Sequence, residues 1–133
     1  MAWSMLGSGA MGAQTHRELD AWRLADQIRA KVVALTATPP SSRDFRYCNQ
    51  IRDAAASIPA NVAEGFARRS PRDFARFLSI AKGSLAETQD RILDGADRRY
   101  IAEADAIELM RLTARCDRVI TRLRKYLSSC DKR

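Results

Sequence analysis

The sequence is poor in the residues that build catalytic and metal centres. It has one histidine, His16, and three cysteines, Cys48, Cys116 and Cys130, with no C-x-x-C spacing. A lone histidine and scattered cysteines supply neither the ligands of a zinc site nor a general base with a partner. An odd cysteine count also argues against a disulfide framework, and no glycine-rich phosphate loop or nucleophile elbow occurs. We therefore expect no enzyme activity, no metal and no cofactor.

Long apolar runs are absent as well. No stretch approaches the roughly 18–20 apolar residues that span a bilayer. Residues 1–15 carry no charge and lack the positive segment and long apolar run of a secretory signal. We predict that residues 1–15 are a disordered tail or a remnant of cloning, and that residues 16–130 form one domain. We also expect a cytoplasmic protein that does not contact membranes.

Glycine and proline are scarce, with 6 and 4 residues, and Ala, Leu and Arg are abundant, a balance that favours helices. Lys and Arg total 23 against 16 Asp and Glu, which gives a net charge of +7. This excess favours RNA, DNA or another polyanion as a partner. The alternative is a solvated basic surface without a specific ligand.

Four segments repeat apolar residues every three or four positions, which is the period of an amphipathic helix. They cover residues 17–37, 43–66, 71–96 and 103–128, and the apolar stripe of the second begins at Phe45. No segment has the alternation typical of a strand. Because the connections are short, consecutive helices should run antiparallel. The sequence therefore predicts an all-α fold, an up-down-up-down antiparallel four-helix bundle.

Serine, proline and glycine mark the expected ends and irregularities of these helices. Ser70 followed by Pro71 predicts an N-cap and first turn for the third helix. Pro59 inside the second helix predicts a kink or two half-helices, and Gly65 predicts its end. Gly83 inside the third helix predicts the close approach of another backbone.

The clearest binding candidate is a row of cations on the fourth helix. Its members are Arg111, Arg115, Arg118, Arg122 and Lys125. Steps of three and four residues place them on one narrow arc, opposite the apolar face and without an acid. Like charges at this spacing cost about 0.2–0.5 kcal/mol per pair, and guanidinium groups suit bidentate contact with phosphate. We predict nucleic-acid binding here; the alternative is an exposed arginine-rich face without a ligand.

A second basic cluster precedes and opens the third helix. It contains Arg68, Arg69, Arg72 and Arg76. Helix N-termini attract anions, so this cluster is a candidate phosphate site. The alternative is a solvated loop.

A row of polar residues lies on one face of the second helix, and one acid on the third helix joins it as a candidate. The residues are Gln50, Ser57, Asn61, Glu64 and Glu87. Such a row is expected to form hydrogen bonds across helices or between subunits.

The central part of the chain resembles a known family. Gln50-Ile51-Arg52 and the run AAASIPANVAEG from Ala54 to Gly65 are similar to the signature of the four-helix-bundle proteins named after the 23S rRNA intervening sequence. Asp53 departs from the pattern, which usually has a second Arg there. Further similar positions are His16-Arg17-Glu18-Leu19, Trp22, Arg69-Ser70, Asp73-Phe74, Phe77-Leu78, Ile80-Ala81, Gly83-Ser84-Leu85 and Glu87.

The resemblance implies a four-helix bundle that assembles into a ring of five subunits, with no known catalytic activity. A related branch is the accessory variability determinant of diversity-generating retroelements, a basic pentamer that works with a reverse transcriptase and binds nucleic acid. In such a ring, Ala81, Gly83 and Ser84 would allow close helix approach. Two functions follow as expectations, a nucleic-acid-binding accessory protein or an oligomeric scaffold that recruits a protein partner.

Overall fold

The computed structural model describes residues 12–131 as helices joined by short loops. No strand occurs in this part of the chain. The all-α prediction is therefore confirmed, and each of the four periodic segments corresponds to one α-helix. The helices are α1 (Asp20–Leu35), α2 (Phe45–Ala67), α3 (Pro71–Asp97) and α4 (Glu103–Asp131), with short 3₁₀ helices at His16–Glu18 and Ser41–Arg43.

The four helices pack as a helical bundle around one apolar core. α1 and α3 each pack against both α2 and α4, so α2 and α4 lie at diagonally opposite corners. Cys48 and Cys116 are buried in this core. Phe45 is 77% exposed, because it is the first residue of α2 and lies at the end of the bundle. The largest fully buried side chains are Leu19, Ile28, Ile51, Ile58, Phe74, Leu78, Leu85, Ile92, Leu109, Ile120 and Leu127.

The predicted start of α3 is confirmed, whereas α2 differs from the prediction. Ser70 Oγ accepts a hydrogen bond from the backbone N–H of Asp73 at 3.3 Å, and Pro71 is the first residue of α3. α2 continues through Pro59, so the alternative of two half-helices is wrong, and the alternative of a kink stays a prediction. A proline inside a helix costs about 3 kcal/mol. Pro59 is buried, and the packing of α2 along its whole length offsets that cost.

Two glycines also differ from their predicted roles. Gly65 does not end α2, which continues to Ala67. It is buried, and a Cβ there would lie 2.8 Å from Phe74 Cδ1 and 2.8 Å from Phe77 Cβ, so glycine permits close contact with α3. Gly83 is exposed, and a Cβ there would meet no atom within 4 Å. The close backbone approach predicted at Gly83 is therefore wrong within the chain, and its part in a subunit contact stays a prediction.

A polar cluster fastens the start of α2 to the connection between α3 and α4. Asp44 caps α2 by accepting the Tyr47 backbone N–H at 3.0 Å, and it also accepts the Tyr100 hydroxyl at 2.8 Å. Arg98 Nη1 lies 3.3 Å from Asp44 Oδ2. These three donors lower the pKa of the Asp44 carboxyl, with the Tyr47 N–H contributing most. Ionised Asp44 therefore holds three segments together.

The segment before α1 contacts the bundle. Residues 1–11 of the predicted tail lie outside the described residues, and residues 12–15 precede the 3₁₀ helix at His16–Glu18. Ala13 is 8% exposed and packs in the core. The Gln14 backbone N–H donates to Glu18 Oε2, and the Glu18 N–H donates to the Thr15 carbonyl at 3.1 Å. Contact with the core thus begins ahead of the predicted domain boundary at residue 16.

Candidate nucleic-acid interface

The basic stripe, defined as Arg111, Arg115, Arg118, Arg122 and Lys125, lies on the solvent-facing side of α4. All five side chains are exposed. At 100° per residue they fall within an arc of about 80°, and at 1.5 Å per residue they extend over about 21 Å. The apolar side of α4 faces the core, so the bundle directs the stripe outward. The stripe therefore forms a straight row of cations accessible to a large ligand.

The acids that flank the stripe are paired with cations of other helices. Glu108 pairs with Lys31 of α1, and Asp117 pairs with Lys82 of α3 at 2.9 Å. Among the side chains that the structure describes, which are those of residues 12–130, no ion pair joins a stripe residue to an acid. The two flanking acids thus neutralise Lys31 and Lys82, and the charge of the stripe stays available to an external anion.

Hydrogen bonds between α3 and α4 hold the stripe in place. Arg124 is half-buried and donates from Nη1 to Ser79 Oγ at 3.0 Å, so it braces α4 rather than extending the stripe. Gln89 Nε2 donates to Thr113 Oγ1 at 3.0 Å further along the same pair of helices. α4 is therefore a supported platform, and binding would not need to order the helix first.

The second basic cluster forms an arginine corner, defined as Arg68, Arg69, Arg72 and Arg76. All four side chains are exposed. Arg68 and Arg76 both lie over the Phe77 ring, with Cζ 5.1 Å and 4.6 Å from its centroid.

Contacts with aromatic rings and with one acid restrain three of the four arginines of the corner, Arg68, Arg69 and Arg76. Arg69 has a φ of 56° and lies 4.7 Å from the Phe66 centroid. Arg68 also pairs with Glu64 at 3.0 Å, so part of the corner's charge is neutralised locally. Aromatic contact limits the motion of these guanidinium groups and leaves their outer edges free to donate.

The corner and the stripe share one end of the bundle. The bond from Arg124 to Ser79 places the last turns of α4 beside the first turns of α3. Arg76 lies within one turn of Ser79, and Lys125 follows Arg124 directly. A long polyanion lying on the stripe and extending past Lys125 would therefore reach the end of the bundle that carries the corner.

The polar row on α2 does not form the predicted hydrogen bonds across helices. Gln50, Ser57 and Asn61 are half-buried, and Glu64 is exposed. Asn61 Nδ2 donates to the Ser57 carbonyl of its own helix at 2.8 Å, and Glu64 pairs with Arg68 one turn later. Among the described side chains, no hydrogen bond joins the row to α3, and contacts of the row between subunits stay a prediction. Glu87 is exposed on α3.

Other classes of site have little support in the described residues. No group of three or more His, Cys, Asp or Glu side chains in residues 12–131 lies close enough to hold a metal ion. His16 contacts the Trp22 ring, with centroids 5.2 Å apart. No helix in that range combines the length and the apolar composition needed to cross a bilayer. Burial raises the pKa of the Cys116 thiol to about 12, which makes it a poor nucleophile near neutral pH.

Comparison with known proteins gives one finding. The family model described as 23S rRNA-intervening sequence protein matches residues 17–122, which include α1, α2, α3 and most of α4. The matched region contains the arginine corner, the polar row and the stripe as far as Arg122. No curated protein matches the chain.

Proposed function

The chain belongs to the 23S rRNA-intervening sequence protein family, and from that premise we propose that it is a non-enzymatic accessory protein that binds nucleic acid through the basic stripe of α4. One observation carries this proposal. Five exposed cations lie in a row on one helix, and the acids beside them pair with other residues.

Energetics favour a ligand for the stripe over an unused surface. Four neighbouring like-charge pairs on α4 each cost about 0.2–0.5 kcal/mol in an isolated helix. A mixed-charge face would solvate α4 equally well without that cost. A phosphate backbone relieves the repulsion and releases counterions, which supplies most of the affinity in non-specific nucleic-acid binding.

The chemistry of the stripe fits phosphate contact rather than base reading. Arginine donates in a planar fork that matches two phosphate oxygens, and four of the five stripe residues are arginine. Tyr126, which is 39% exposed one turn after Arg122, is a single ring beside the stripe, whereas a stacking platform for unpaired bases needs several rings. We therefore expect binding to duplex or structured RNA and DNA with little sequence preference, and the arginine corner serves as a second phosphate contact.

A matched pair of charge reversals tests this proposal. Arg115→Glu with Arg122→Glu alters the stripe. Arg43→Glu with Arg46→Glu alters two exposed arginines, one shortly before α2 and one in its first turn. Both double variants have the same net charge. Fluorescence anisotropy with a labelled duplex near 0.1 M salt should show affinity reduced at least roughly tenfold by the stripe reversal and little by the control.

Circular dichroism and thermal unfolding verify the fold of both variants. Equal losses of affinity in the two variants would mean that only overall charge matters, and unchanged affinity in the stripe variant would refute the site.

We also propose that the bundle has up-down-up-down order and assembles into a five-membered ring. Contacts between α3 and α4 support the antiparallel order, because residue numbers rise along α3 while those of the α4 partners fall. The pairs are Ser79 with Arg124, Lys82 with Asp117 and Gln89 with Thr113. Exposed Gly83 and the partly exposed polar row give the α2 and α3 side a surface suited to a subunit contact. α2 is diagonal to α4, so this contact would leave the stripe exposed.

Light scattering after gel filtration tests the ring. A pentamer should have five times the chain mass of 14.9 kDa, and Gly83→Arg should reduce the mass without unfolding the chain. A monomeric wild-type protein at micromolar concentration would contradict the ring. The relation to the accessory variability determinant and the cytoplasmic location stay predictions.

A further inference from the structure

A cleft lies between α1 and α4, beside the first half of the basic stripe. Its volume is about 380 Å³. The lining residues are Gln27, Lys31, Glu108, Arg111, Leu112 and Arg115. Because α1 and α4 form the edge of the bundle opposite α2 and α3, the proposed ring contact would leave this cleft open to solvent.

The charge of the cleft favours an anionic ligand. Lys31 of α1 and Glu108 of α4 form an ion pair, so their charges cancel. The other two cations, Arg111 and Arg115, have no acidic partner among the side chains that the structure describes. The lining therefore keeps a charge of +2. A phosphate group beside these two arginines would gain charge-assisted hydrogen bonds.

Phosphate alone does not account for the rest of the lining. Leu112 is half-buried and gives the cleft an apolar surface. The Gln27 amide is exposed and makes no hydrogen bond to any residue of the described part of the chain. A nucleobase suits this combination, because its faces stack on guanidinium groups and pack on apolar side chains. Its edge donates and accepts hydrogen bonds, as an amide does.

We propose that this cleft receives the unstacked base of a bulged nucleotide in structured nucleic acid, while the flanking phosphates lie on Arg111 and Arg115. The inference rests on the proposed nucleic-acid function and adds a preference for one kind of structure. Pockets for small organic groups begin at about 300 Å³, so the cleft has room for a base. Gln27 bonds the edge of the base, and Glu108 accepts from an exocyclic amino group. A bulged base already lies outside the helical stack, so binding costs little unstacking energy.

Three RNA duplexes test the proposal. One is fully paired, one carries a single bulged adenosine, and one carries an abasic nucleotide in the place of that adenosine. The abasic bulge keeps the extra phosphate and the bend of the duplex and lacks only the base. Fluorescence anisotropy near 0.1 M salt should show at least about threefold higher affinity for the adenosine bulge than for either other duplex. Equal affinity for the adenosine and abasic bulges would overturn the proposal.

A charge-neutral pair of variants assigns the base to the cleft. Gln27→Leu removes the amide and keeps a side chain of similar size, whereas Ala30→Leu adds leucine at an exposed position of α1 outside the lining. Gln27→Leu should reduce the advantage of the adenosine bulge over the abasic bulge at least about twofold, and Ala30→Leu should retain it. Circular dichroism verifies the fold of both variants. An unchanged advantage in Gln27→Leu would place the base elsewhere and overturn the proposal.

The paired duplex separates this inference from the proposed function. Gln27→Leu keeps every cation of the stripe, so its affinity for the paired duplex should equal that of the wild type. The stripe reversal, Arg115→Glu with Arg122→Glu, should weaken binding of all three RNAs. Binding of the paired duplex without a preference for the bulged base would overturn the cleft alone. Failure of the wild type to bind any of the three RNAs would overturn both proposals.

A free nucleotide is a second source of the same chemistry. Adenosine monophosphate has the base but only one phosphate, so it should bind with a Kd above about 1 mM in titration calorimetry. Binding of adenosine monophosphate tighter than this, lost in Gln27→Leu, would assign the cleft to a free nucleotide and overturn its role in nucleic-acid binding.

Discussion

Replacing Gly95 by alanine should destabilise the fold, although alanine is the better helix former. Gly95 is buried in α3, where Tyr47 of α2 packs against it. A Cβ at this position would overlap Tyr47 Oη, and it would lie 2.9 Å from Ile101 Cδ1 and 3.0 Å from Tyr47 Cζ. Tyr47 cannot easily move away, because its hydroxyl donates to the Arg91 carbonyl at 2.8 Å and its ring packs edge-on against Tyr100.

Two opposing free-energy contributions decide whether Gly95→Ala stabilises or destabilises the fold. Helix propensity favours alanine over glycine by up to about 1 kcal/mol. Overpacking of a well-filled core typically costs about 1–3 kcal/mol, and displacement of Tyr47 would also break a hydrogen bond worth about 0.5–1.5 kcal/mol. We therefore expect a net loss of about 1–3 kcal/mol, equivalent to roughly 4 °C in melting temperature for each kcal/mol in a domain of this size.

A double-mutant cycle in urea measures this effect. Tyr47→Phe removes the oxygen that the new methyl group would meet, so the double variant should be less destabilised than the sum of the single variants by about 1 kcal/mol. Additive effects would mean that Tyr47 Oη is not the obstacle. A Gly95→Ala protein as stable as the wild type would refute the packing argument.

Three further predictions concern single side chains. Ser70→Ala removes the N-cap of α3 and should cost about 1 kcal/mol in urea unfolding, whereas Ser70→Gly should cost only a few tenths, and equal losses would contradict the cap. Folding lowers the pKa of the Asp44 carboxyl, so ionised Asp44 stabilises the fold at pH values above its unfolded pKa of about 4. This stabilisation disappears as the pH falls through the lower pKa of the folded state. Asp44→Ala should therefore lower the melting temperature at pH 7, with a difference that shrinks in acid; a constant difference would exclude a role for the charge. Cys116 is fully buried with a pKa of about 12, so iodoacetamide at pH 8 should label it only after unfolding, and rapid labelling of the native protein would refute its burial.

Periodicity was sufficient to find the helices, because each one buries a single apolar face. The features that periodicity missed depend on which atoms of other helices pack against a residue in the folded chain. A glycine near the end of a helical segment is typical of a helix end. Gly65 instead lies inside α2, where the absence of a side chain allows close contact with Phe74 and Phe77. Pro59 predicted a kink or two half-helices, and the structure shows one helix that continues through it. Phe45 fits the apolar period, yet it lies beyond the end of the core.

The candidate interface could be predicted in part for a similar reason. The angular position of the stripe follows from helix geometry alone, so the sequence predicts a row of cations facing away from the core. The pairing of Glu108 with Lys31 and of Asp117 with Lys82 joins residues far apart in the chain, and only the fold brings them together. The groove that Leu93 of α3 and Ile107 of α4 line exists only because these two helices pack together, and neither residue stands out in the sequence.

The salt dependence of duplex binding tests the central claim most directly, because it counts the phosphates that the protein neutralises. If each of the five stripe side chains contacts one phosphate, the stripe should contribute about 4.5 to the slope of log Kd against log salt concentration on duplex DNA. Replacing all five with Gln should bring the slope close to zero, or to the residual contribution of the arginine corner. A slope that stays near the wild-type value after the replacement would contradict binding by the stripe.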